Sequence, residues 1–124
     1  MIVGIGTQVL ECARVRKLID RHGEAFLRRV YTDREIRACN ANPQTTEAFA
    51  AAWAAKEAVF RALGTPWRRG MDWTDIEVVN GAAEVGGATA DRMAARGVTR
   101  VLVTTAYCRA FATATGIAVK DAGA

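Results

Sequence analysis

The segment TEAFAAAWAAKEAVFRALG, from Thr46 to Gly64, constrains this chain more than any other stretch. Phe49, Trp53, Phe60 and Leu63 recur at steps of four, seven and three, the spacing of one apolar helical stripe. The alanines between them favour helix and allow a neighbour to approach closely. Thr46 is the candidate N-cap, Gly64 the C-terminal stop, and Pro66 lies just beyond. A helix of this length must be covered on its apolar side, so the rest of the chain has to supply a layer to pack against it.

The flanking segments supply one. Residues 1–6 form a short run rich in Ile, Val and Gly that reads as a buried strand, and a basic helix is expected over residues 11–22, with Val15, Leu18 and Ile19 on one face and Gly23 as its stop. Thr32 with Glu35 three residues later is a capping box opening a short helix over 33–39, which Asn40 to Pro43 break. IEVVN, the Asn80-Gly81 pair and AAEV read as two strands joined by a tight turn. A second alanine-rich helix is expected over 88–96, and VTRVLVTT with AFATATGIAV as an antiparallel pair. The order predicts an α+β fold in which an antiparallel sheet packs on one long central helix, as one domain over residues 1–124. Few connections have room for the crossover helices of a parallel sheet.

Composition narrows the function classes. The chain has 124 residues, half of them apolar (51%), and a net charge of +4. Residues 1–70 carry 12 basic against 7 acidic side chains, whereas residues 71–124 carry 5 against 6. The basic excess is therefore N-terminal and suits an anionic partner. No helix-turn-helix, zinc-finger or RNA-binding signature accompanies it, which argues against nucleic acid. Cys12, Cys39 and Cys108 are odd in number and widely spaced, against both a disulfide framework and a zinc site. The N-terminal segment lacks a basic run before its apolar stretch, and no apolar run approaches a membrane span. A reduced, unprocessed cytoplasmic protein with no membrane partner is the expectation.

Few residues could carry chemistry. The GIG pattern at 4–6 has Val9 in place of a third glycine and no following lysine and hydroxyl, so it reads as a tight strand end rather than a phosphate loop. His22, at a helix C-terminus, is placed where the helix dipole favours a cation, and it reads as solvated. Lys56 falls within the register of the Phe49 stripe, and an ionisable group there must be paired or functional. A snorkelling Lys56 beside a Glu57–Arg61 surface pair is the alternative reading.

GIGTQVLECARV, FLRRVYTDREIRAC, FAAAWAAKEAVFRALGT and GMDWTDIEVVNG occur in this order over most of residues 1–79. With these blocks the chain resembles the small holo-acyl-carrier-protein synthases, 4'-phosphopantetheinyl transferases that move the phosphopantetheine arm of coenzyme A onto a carrier-protein serine. The resemblance implies an α+β domain that assembles as a homotrimer with active sites between protomers. It implies that magnesium is held by Glu57 and by an acidic residue just after the first strand, and bridges the coenzyme A pyrophosphate. It places Lys56 close to the reacting phosphate, Arg61 and Gly64 against coenzyme A, and Arg14 at the docking site for an acidic acyl carrier protein.

Four positions depart from the family pattern. Gln8 stands where the metal-binding aspartate belongs, so the implied magnesium site is weakened. Ala52 replaces an arginine, Pro66 a loop glycine, and Tyr107 aligns with a histidine. An active transferase is one implication. A relative that binds a carrier protein or coenzyme A without transfer, or acts on a carrier-bound acyl substrate, is the other.

Overall fold

The computed structural model describes residues 1–64 and 72–123. Pro66 lies outside them. A first strand, β1 (Ile2–Glu11), leads into three helices, α1 (Cys12–His22), α2 (Glu24–Val30) and α3 (Asp33–Asn40). The long helix α4 (Thr45–Ala62) follows, then a 3-10 turn (Trp73–Asp75), the hairpin β2 (Ile76–Val79) and β3 (Ala82–Val85), α5 (Gly87–Ala95), and the final pair β4 (Arg100–Tyr107) and β5 (Phe111–Val119). The five strands form one antiparallel sheet in the order β1-β5-β4-β3-β2.

The expected α+β architecture is present, with differences that have physical causes. β1 continues to Glu11, well past residue 6, because Thr7 to Glu11 pair with Phe111 to Thr115 of β5. Gly4 and Gly6 therefore lie inside the strand and do not end it. Both face α4 together with Gln8 and Leu10, since alternate strand residues share a face. A Cβ on Gly4 would collide with the carbonyl oxygen of Ala62, and one on Gly6 with that of Ala58. On β5, a Cβ at Gly116 would lie 3.1 Å from the Ala58 oxygen. Bare glycines thus let the strands lie against the Ala54, Ala58 and Ala62 side of the helix.

Helix α2 was not foreseen. Gly23, the expected stop, adopts φ 54 and turns the chain straight into a further seven-residue helix. α4 begins at Thr45 with Gln44 as its N-cap, ahead of the expected Thr46. The Thr32–Glu35 capping box is present at α3, and Asn80 and Gly81 both take positive φ, as a tight two-residue hairpin requires.

Two cores flank α4. One joins it to the sheet through Val59, Leu63, Ile76, Val101 and Ala118; the other joins Phe49 and Ala50 to Val15 and Val30 of the preceding helices and to Tyr31 just after them. The opposite face of the sheet carries Ile5, Val9, Leu102 and Phe111, all exposed.

Candidate active site

Gln8 and Glu57 meet where β1 crosses α4. The Gln8 Nε2 donates a hydrogen bond to Glu57 Oε2, while Gln8 Oε1 accepts from the Val9 backbone N–H at 3.0 Å. The glycine seam makes this meeting possible, because it brings β1 against the helix two and four residues before Gln8. One turn further along α4, Arg61 does not pair with Glu57. Its Nη1 donates to the Thr7 carbonyl at 3.0 Å, which holds an exposed guanidinium at the strand edge. Gly64 closes the helix with φ 68, and the Arg96 guanidinium packs so closely over it that a Cβ there would collide.

Lys56, on the same helix, is committed to a buried ion pair. It is 0% exposed, with Nζ 2.7 Å from Glu35 Oε1 and donating to the carbonyls of Ile76 (2.5 Å) and Trp73 (3.1 Å). Three acceptors use all three ammonium protons. Glu35 in turn accepts from the Thr32 N–H at 2.9 Å and from the Val78 N–H at 3.0 Å. Burial pushes the Lys56 ammonium below its ordinary value, and Glu35 beside it pulls the other way. This pair ties α3, α4 and the start of β2 together. In the sequence Glu35 reads only as a capping residue; its second role depends on α3 folding back beside α4.

Two of the positions singled out in the sequence fall in one place. Ala52 and Tyr107 line a cleft of about 220 Å³ between α3, α4 and β4, together with Cys39, Ala48 and Thr105. The Tyr107 hydroxyl lies 3.4 Å from Asn42 Nδ2 and 3.5 Å from Gln44 Oε1. Arg14, Lys17 and Arg21 are exposed along α1, and none forms an ion pair with a described residue. Arg16, by contrast, is committed to Asp20 and Thr46. No hydrogen bond links Arg14 to the Gln8–Glu57 pair.

The residues suit an oxygen-liganded cation only in part. Among the described residues no group of three His, Cys, Asp or Glu side chains gathers. Glu57 offers one carboxylate, and the Gln8 amide turns its nitrogen, not its oxygen, towards it. A magnesium ion fits here if substrate phosphates and water complete its shell, an arrangement common for this ion.

The family model of the 4'-phosphopantetheinyl transferase superfamily matches residues 4–112. A holo-[acyl-carrier-protein] synthase of Chlamydia pneumoniae is 37% identical over 120 residues, covering 95% of this chain and 98% of that protein. The chain belongs to the holo-acyl-carrier-protein synthase family. A second synthase, from Rhodopirellula baltica, is 48% identical over 83 residues, 67% of this chain and just under two thirds (66%) of the relative's length. Among solved structures, the holo-acyl-carrier-protein synthase of Neisseria meningitidis superposes with a TM-score of 0.86 at 26% identity, over 97% of this chain and all of that one (100%). The Bacillus anthracis synthase, solved in complex with coenzyme A (3',5'-ADP), gives 0.76 at 26% identity, over 98% of this chain and 99% of that one. Among the described residues, no helix is long and apolar enough to cross a membrane.

Proposed function

We propose that this chain, acting as one domain over residues 1–124, transfers the 4'-phosphopantetheine arm of coenzyme A to a serine of an acyl carrier protein in the cytoplasm. The observation that carries the reading is the convergence of Glu57, Arg61 and the edge of β1 on one exposed rim of a fold shared with synthases. In the transfer, the serine oxygen forms a bond to the phosphorus bearing the arm, the bond from that phosphorus to the 3',5'-ADP oxygen breaks, and the serine proton is lost. Little of this needs covalent chemistry from the protein, so charge and position dominate. Arg61, held by Thr7, supplies a fixed positive charge for a coenzyme A phosphate. Glu57 is the carboxylate through which a magnesium ion would join the donor. The ion would neutralise charge developing on the phosphate.

Arg14, with Lys17 and Arg21 beside it and no acidic partner among the described residues, offers the docking face for an acidic carrier protein. Assembly as a homotrimer is supported by the exposed sheet face, whose apolar side chains one chain leaves uncovered. Lys56, close to the reacting phosphate in this reading, also supports the helix that presents Glu57 through its ion pair with Glu35. The joint occurrence of Ala52 and Tyr107 in one cleft favours a second reading, a binding protein that holds a carrier or coenzyme A without transfer.

Intact-mass spectrometry of apo carrier proteins incubated with this chain, coenzyme A and magnesium separates the two. Addition of one phosphopantetheine arm is expected, and Glu57→Ala should slow it by about 100-fold or more, the scale of losing one transition-state charge contact. Carrier binding without any mass gain, by the natural chain and by Gln8→Asp alike, would establish the binding reading instead. Arg14→Glu should weaken carrier affinity and leave coenzyme A affinity alone.

A further inference from the structure

The Gln8 amide is oriented by its surroundings. Its oxygen accepts the Val9 N–H, so its nitrogen must face Glu57, and the hydrogen bond to Glu57 Oε2 follows. Glu57 is half-buried between α4 and β1, and a carboxylate so placed needs a donor or a cation. Gln8 provides the donor. Two facing carboxylates at this crossing would repel unless a cation lay between them. An amide and a carboxylate attract without one.

We infer that in the free protein Gln8 takes the place of a metal ion in holding Glu57, and that a divalent ion enters the site only together with the phosphates of the donor. The second half rests on the transferase reading; the first does not. For an ion to reach Glu57 on the side of β1, the Gln8 amide must turn over and give up its bond to Val9. The donor's phosphate oxygens offset that loss, because they bring the negative charge the pair lacks. Gln8 is then a positioning residue for Glu57, and its amide oxygen faces an ion only in the loaded state.

Thermal unfolding in EDTA, in magnesium chloride and in potassium chloride of equal ionic strength tests the first half. The natural chain should melt within about 1 °C in all three, whereas Gln8→Asp should melt about 4 °C lower in EDTA, the shift expected from one lost polar contact in a domain of this size. Magnesium, but not potassium, should restore the variant. A natural chain that magnesium alone stabilises as much as it does Gln8→Asp would overturn the inference, as would a variant indifferent to both the substitution and the metal. If Gln8→Asp fails to fold in EDTA, recovery of its circular dichroism on adding magnesium reads the same point.

Calorimetry with coenzyme A tests the second half. Magnesium should tighten binding by about ten-fold in the natural chain, and the gain should vanish in Glu57→Gln, which keeps the shape and removes the charge. Equal affinity with and without magnesium overturns ion entry with the donor. No coenzyme A binding under any condition would remove the transferase reading, while the melting experiment would still decide what Gln8 does.

Discussion

Lys56 and Glu35 form the most deeply buried ion pair among the described residues, and their energetics follow from that burial. Removing one partner leaves the other charged and without compensation, which typically costs 3–5 kcal/mol. Lys56→Met should therefore lower unfolding free energy by about 3 kcal/mol in urea titration, and Lys56→Met with Glu35→Gln should lose less than the two single changes together. A loss below about 1 kcal/mol would mean that the pair is not closed in solution. That Lys56 lay on an apolar stripe was legible in the spacing of Phe49, Trp53 and Phe60. Its partner was not, because Glu35 is 21 positions away and only the fold of α3 brings it near. Cys39 sits against the same pair, and burial pushes its thiol from 9.0 up to about 12. A folded value above the unfolded one means that this contribution to stability is intact below pH 9 and is lost as pH rises towards 12, at about 1.4 kcal/mol per pH unit. Lys56, lowered in the fold, acts with opposite sign below its ordinary 10.5. Cys39→Ala should accordingly flatten the decline of stability between pH 9 and 11 relative to the natural chain. Parallel slopes for the two proteins would show that the thiol ionises freely in the fold.

The contact between β1 and α4 decides whether the site exists at all, and it depends on glycines whose pattern in the sequence reads as a strand end. Spacing alone could not distinguish the two, since a glycine that ends a strand and one that admits a helix look alike until the partner is known. The alanines of α4 were the other half of the signal. A Cβ at Gly6 would meet the Ala58 carbonyl and lie 2.6 Å from both the Ala62 nitrogen and the Arg61 Cβ, and backbone cannot yield as a flexible side chain can. Gly6→Ala should therefore cost about 2 kcal/mol or more by forcing the strand from the helix, and should weaken the Gln8–Glu57 hydrogen bond with it. Denaturant unfolding reads the first effect, and a change under about 0.5 kcal/mol would show that the strand and helix do not close. The long helix, the capping box and the Asn80-Gly81 turn were all readable because local chemistry specifies them. Helix α2 was not, because its start depends on Gly23 taking a left-handed conformation that turns one helix into the next.

At the scale of the molecule, α4 covers one face of a five-stranded sheet and leaves the other with apolar side chains in water. Ile5 and Val9 of β1 are 60% and 58% exposed, and Phe111 and Leu102 are 48% and 38%. Threonines separate them: Thr7 pairs with Thr115, Val9 with Thr113, and Leu102 with Ile117. A surface of this kind is stable as an interface and prone to aggregate as a free face. β1 is also an edge strand, so the rim that presents Arg61 and the Gln8–Glu57 pair borders the same face. Burying the face between copies would therefore bring a second chain beside the site. Val9→Asp places a charge on that face without touching α4, since Val9 points away from the helix. Light scattering should find the natural chain as three copies and the variant as one, with circular dichroism unchanged. Transfer should then fall with assembly, by about 100-fold if a neighbouring chain completes the site, the loss expected when a positioned charge contact is removed. A monomeric natural chain would end the trimer proposal, and full transfer by a monomeric Val9→Asp would show that one chain holds the whole site.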